Sequence, residues 1–142
     1  MNQSKQTLTL ALTELRRASN PTIPWVWDER HDVAMMALEP KLAAPIEASL
    51  AHYFSEKWDH QNHGSATGEL NLLIDSLAGI ELGQSLYSSK LEEGLVAFAA
   101  FWPWAGNTNV SVRIGIFTSD DHPEISHEES TSAIRNMFNI PS

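Results

Sequence analysis

Four side chains near the middle of the chain have the types and spacing of metal ligands: His52, Glu56, Asp59 and His63, at intervals of four, three and four residues. On an α-helix that spacing sets all four on one stripe. Imidazole and carboxylate together suit zinc, manganese or iron, and neighbouring members of the stripe could give two or three ligands to one ion. The condition is a helix that runs on beyond Trp58, which Gly64 and the polar residues after it oppose. The plainer reading is a solvated face opposite Leu42, Ile46 and Leu50. The order of the residues is also not that of a zinc peptidase.

Glu124 and His127 form half of the Glu-x-x-His pattern of a carboxylate-bridged di-metal site, and no second copy exists in the chain. Acids at that point equally favour the positive end of a helix dipole. Two Trp-x-Trp pairs, Trp25/Trp27 and Trp102/Trp104, would each present both indoles on one face if extended, as a platform for a flat ligand or a partner's Arg. Pro103 cannot donate to a ladder and puts the second pair at a strand end or edge. Nucleophilic catalysis has no Gly-x-Ser-x-Gly, Ser-x-x-Lys or Gly-rich phosphate loop behind it. The absence of Cys removes thiol catalysis and thiolate metal sites. No catalytic residue and no cofactor is assigned from the sequence.

The charge balance is one-sided: eighteen Asp and Glu against nine Lys and Arg, for a net charge of −9. Five of the acids, Asp120, Asp121, Glu124, Glu128 and Glu129, fall in one short segment. Nucleic-acid binding is disfavoured, because neutralising phosphates needs clustered Lys or Arg. Mimicry of DNA is disfavoured too, since it needs carboxylates spread over an extended surface.

The elements that would position these residues follow from periodicity. Leu8, Ala11, Leu12 and Leu15 recur at helical spacing and predict a helix over about 5–19. Ile23, Trp25 and Trp27 alternate and suggest a short extended segment, after which Asp28 could cap a helix through Leu38, with a strand over Val33–Leu38 as the alternative. Pro40 and Pro45 bracket the entry to a helix over about 41–58, and Leu70, Leu73, Ile74 and Leu77 predict another over about 68–78. From Ile80 the period becomes alternating, predicting antiparallel strands over about 80–87, 94–104 and 110–118. The middle strand is apolar on both faces and belongs at the sheet's centre. The last has Val110, Val112, Ile114 and Ile116 inward and Ser111 and Arg113 outward, as in a half-buried strand. Ser126-x-x-Glu129 is a capping box that opens a final helix over about 127–139.

These elements describe an α+β fold, a three- to four-stranded antiparallel sheet packed against helices, in one domain spanning residues 1–142. A chain of this length buries roughly two-thirds of its extended surface and needs no metal or disulfide to fold. No signal peptide or membrane-spanning run is legible, so the expectation is a soluble, cytoplasmic protein. The leading functional expectation is a non-enzymatic binding module, such as an immunity protein, inhibitor or secretion chaperone. In it Asp120, Asp121, Glu124, Glu128 and Glu129 would steer a basic protein partner, and Trp102 and Trp104 would anchor it. The first alternative is a metal-binding protein or metal-dependent enzyme using His52, Glu56, Asp59 and His63. The second is a small-ligand domain whose pocket lies between sheet and helices, lined by Trp, Phe98, Phe101 and Met35 or Met36. A homo-oligomer is compatible with any of these.

Overall fold

Leu8, Ala11, Leu12 and Leu15 are all buried along one stripe, and the chain accordingly opens in helix α1 (Gln3–Ala18). The computed structural model describes residues 3–19, 24–66, 68–77, 79–91, 95–103, 109–118 and 125–141. After α1 come strands β1 (Val26–Asp28) and β2 (Val33–Leu38), helix α2 (Pro40–Tyr53), strand β3 (Glu56–Trp58) and helix α3 (Gly68–Ser76). Strands β4 (Ser85–Lys90), β5 (Val96–Pro103) and β6 (Val110–Phe117) follow, then helix α4 (His127–Met137). The strands form a single antiparallel sheet in the order β1-β2-β6-β5-β4-β3.

The fold is thus α+β with four helices, and the sheet has six strands rather than three to four. Two of the extra strands, β1 and β3, have three residues each at the sheet's edges; β1 ends the short extended segment expected around Trp25 and Trp27, and β3 is too short to show an alternation. The third, β2, is the segment read first as a helix from Asp28. It lies between β1 and β6 and buries Val33, Ala34 and Met36, residues that point to both faces. A strand buried on both faces loses its period of two and cannot be told from a helix by pattern alone.

Other boundaries also shift. Helix α2 stops at Tyr53 rather than near 58: Phe54 is already extended, and the Ser55 amide donates to Ser89 Oγ at 2.9 Å as the chain turns into β3. Strand β4 begins at Ser85 rather than Ile80, because Gly79 and Gly83 adopt φ of 87° and the chain turns there. Leu82, within the span expected to be strand, lies in that turn and is 84% exposed. The β5 expectation holds, with Val96 to Phe101 buried throughout. The capping box also holds: Ser126 Oγ accepts from the Glu129 amide at 3.1 Å, and Glu129 answers the Ser126 amide.

The two faces of the sheet are covered unequally. Helices α1, α2 and α4 close the first face, with Leu12, Leu15, Leu50, Ile134 and Phe138 packed on Ala99, Val112 and Ile114. Among the described residues the one helix on the second face is α3, whose Leu70, Leu73, Ile74 and Leu77, with Ala66 and Ile80 beside it, meet Leu86, Val96, Phe98 and Ala100. A helix of nine residues is about 13 Å long. Six strands span roughly 24 Å at the usual spacing. One short helix cannot close that surface, and among the described residues Val26 of β1 and Ala37 of β2 stay exposed on it. No helix among the described residues is long and apolar enough to cross a membrane.

Candidate functional site

Between α3 and the β2 side of the second face lies a cavity of about 420 Å³. Its apolar wall is Leu72, Leu73 and Leu77 from α3 against Val33, Phe98 and Phe117 from the sheet. Its polar rim is Arg30, His31 and Asp32 from the β1–β2 turn, with His127 from the start of α4. A shallower extension of about 280 Å³ shares Arg30, His31 and Leu77 with it and reaches Trp102 and Arg113. The two form one groove, apolar along α3 and polar along the turn.

Gly115 shapes the floor. It lies opposite Phe98 in the β5–β6 register, and a Cβ there would stand 3.2 Å from the Phe98 ring and 3.4 Å from Val33. A side chain there would push the Phe98 ring back by a few tenths of an ångström, so Gly115 lets the ring lie close to the sheet.

Asp28 organises the rim. Its Oδ1 accepts the Arg30 amide at 3.1 Å, which shapes the turn, and Asp32 completes it in the left-handed region at φ 55°. Its Oδ2 accepts from His31 Nδ1 at 2.8 Å and from Arg113 Nε at 2.6 Å. Met35 pairs with both Val26 and Arg113. Arg113 therefore reaches across β2 to Asp28 on β1, on one face of the sheet. The Arg113 guanidinium stands 4.3 Å from the centre of the Trp102 ring, and the His31 ring meets Trp102 edge-on at 5.4 Å. One guanidinium nitrogen of Arg113 and the indole nitrogen of Trp102 are buried without a hydrogen-bond partner among the described residues.

Burial alone would raise the Asp28 carboxyl, but the hydrogen bonds from Arg113 and His31, with their charge, hold it below its ordinary value. Asp28 is therefore a carboxylate near neutrality and can only accept hydrogen bonds. That places the proton of His31 on Nδ1 and leaves Nε2 as the ring's unengaged nitrogen among the described residues. At the outer rim His127 Nε2 lies 3.1 Å from Asp32 Oδ2. The groove can hold an apolar body along α3 and offer polar groups along the turn.

The residues singled out by spacing lie elsewhere. His52 is near the end of α2, Glu56 in β3 and Asp59 in the following turn, and His63 opens a short 3₁₀ turn (His63–Ser65). Because α2 ends at Tyr53, they share no helical stripe. Asp59 Oδ1 is occupied by the amides of Gln61 and Asn62 at 2.8 and 3.0 Å. Among the described residues no group of three His, Asp or Glu side chains is placed to hold a metal ion.

Trp102 is half-buried on the second face, flanked by Arg113 and His31. Glu128 and Glu129 are exposed at the start of α4, and Glu129 pairs with Lys5 at 3.2 Å. Trp104, Asp120, Asp121 and Glu124 lie outside the described residues. Of the aromatic and Met residues expected around a pocket, Phe98 lines the cavity and half-buried Met35 shares its face of the sheet. Phe101 and Met36 belong to the core of the opposite face.

Asp28, His31, Arg30 and Arg113 were not singled out from the sequence. One signal existed: Arg113 is the only charged residue in the eight of β6, and a lone charge inside a central strand needs a partner on its own face. Comparison with known protein families, curated proteins and solved structures finds no match to this chain.

Proposed function

We propose that this protein is a non-enzymatic binding domain whose groove between α3 and the sheet takes a small organic ligand. The observation that carries the reading is the cavity of about 420 Å³ in a domain whose opposite sheet face is closed by three helices. Ligand pockets commonly occupy roughly 300 to 1,000 Å³, with apolar walls and a few convergent polar groups. The lining has that composition, with Leu73, Leu77 and Phe98 facing Arg30, His31 and His127.

The test uses Nile red, a neutral apolar fluorophore. The expected result is saturable fluorescence enhancement at one site per chain, lost in Ser76→Phe, which plugs the groove from an exposed position on α3. Enhancement that is absent, or that persists in Ser76→Phe, refutes the reading.

A second reading rests on the net charge of −9 and the exposed Glu128 at the start of α4. In it the acidic surface around Asp120, Asp121, Glu124, Glu128 and Glu129 steers a basic protein partner toward Trp102 and Trp104. Reversing Asp120, Asp121 and Glu128 should then slow association and flatten its salt dependence. An unchanged on-rate and salt dependence would refute the steering.

A further inference from the structure

We propose that the groove's ligand is a small amphipathic carboxylate, with its apolar body against Leu73, Leu77 and Phe98 and its carboxylate on the Arg30 guanidinium. The inference rests on the small-ligand reading above and specifies the chemistry of the ligand.

Cations are scarce in this chain, nine Lys and Arg against eighteen acids, yet Arg30, Arg113 and two histidines line the groove. Two of the nearby carboxylates are already engaged. Asp28 accepts from Arg113 and His31, and Asp32 faces His127 at 3.1 Å. Among the described residues Asp32 is the only carboxylate lining the deep cavity, while Glu81 lines the shallow extension near Trp102. An anionic head therefore belongs at the mouth of this cavity, on the side of Arg30.

Arg30 is the cation left for it. The Asp28 carboxylate holds the Arg30 backbone amide, the side chain is exposed at the cavity mouth, and among the described residues it forms no ion pair. A guanidinium binds a carboxylate through two parallel N–H···O bonds, which fixes orientation as well as charge. Leu72, 51% exposed at the same mouth, extends the apolar wall beside it. On a protein of net charge −9, general electrostatics repel an anion, so affinity for one has to come from this local arrangement.

The test is displacement of Nile red by decanoate, decanol and decylamine, from the wild type and from Arg30→Gln, a substitution at an exposed turn position that leaves the core untouched. Decanoate is expected to displace the dye from the wild type at roughly tenfold lower concentration than decanol, with decylamine weakest. In Arg30→Gln the decanoate advantage over decanol should vanish. Equal displacement by decanoate and decanol in the wild type, or an advantage that survives in Arg30→Gln, overturns the carboxylate and leaves the groove reading standing. Absence of any dye site sensitive to Ser76→Phe overturns both.

Discussion

Replacing Arg113 by Met keeps most of the apolar stem and removes the guanidinium that closes the rim. In the wild type that group donates to Asp28 Oδ2 at 2.6 Å and covers Trp102 at 4.3 Å, and the Arg113 and Asp28 side chains are only 14% and 10% exposed. Removing one partner of a buried ion pair leaves the other charge uncompensated and costs about 3–5 kcal/mol. His31 still donates to Asp28, so the lower end applies, about 3 kcal/mol, or roughly 10 °C in Tm for a chain of this size.

The pH dependence separates this mechanism from lost packing. The folded-state pKa of Asp28 is depressed, so its contribution to stability is present above the unfolded carboxyl value and is lost as pH falls through the folded one. In Arg113→Met burial dominates, the Asp28 carboxyl rises, and protonation relieves the buried charge. Urea denaturation should therefore show a deficit of about 3 kcal/mol near pH 7 that shrinks to about 1 kcal/mol near pH 3. A deficit below about 1 kcal/mol near neutrality, or one equal at both pH values, would refute the assignment of Asp28 and Arg113 as a buried, mutually dependent pair.

Further outcomes follow from other contacts. Gly115→Ala places a methyl 3.2 Å from the Phe98 ring and should cost about 1–3 kcal/mol by denaturation and weaken dye binding in the groove. Tyr87 donates to Glu47 at 2.9 Å, and burial first, then this bond and the Glu47 charge, push its hydroxyl up to about 12. The stabilisation is present below the unfolded phenol value and lost as pH rises from about 10 through the folded value. Ultraviolet titration of Glu47→Gln should accordingly show this phenol ionising at lower pH than in the wild type. Ser126→Ala removes the Oγ that accepts the Glu129 amide, one arm of the capping box, and should cost about 1 kcal/mol in thermal denaturation.

What the sequence disclosed depends on how each element buries its side chains. Helices α1 and α4 and strand β5 were legible, because a stripe at Leu8, Leu12 and Leu15, a Ser126/Glu129 cap and an unbroken apolar run each have one local meaning. Strand β2 was ambiguous because Val33, Ala34 and Met36 are buried on opposite faces. Strand β1 was legible only as a short extended segment around Trp25 and Trp27, and β3 was illegible, since three residues cannot show a period. The rim was hidden for a different reason. Asp28, His31 and Arg113 meet only after β6 pairs with β2, and no local spacing encodes a contact across 85 residues. The His52 to His63 stripe failed where the helix did, at Tyr53, one turn before its second member. Phe98 and Trp102 were visible as aromatic candidates, but which face each would occupy was set by the register of β5 on β6.

The central claim is that the groove under α3 is a ligand site. Its most direct test is a titration of the isotopically labelled protein with decanoate, followed by amide and methyl chemical shifts. Saturable changes concentrated at Val33, Leu73, Leu77, Phe98 and Phe117, with Arg30 and His31 moving in step, are the predicted result. Shifts that fail to saturate, or that cluster at the exposed Leu10 of α1 or at Leu82 instead, would contradict it.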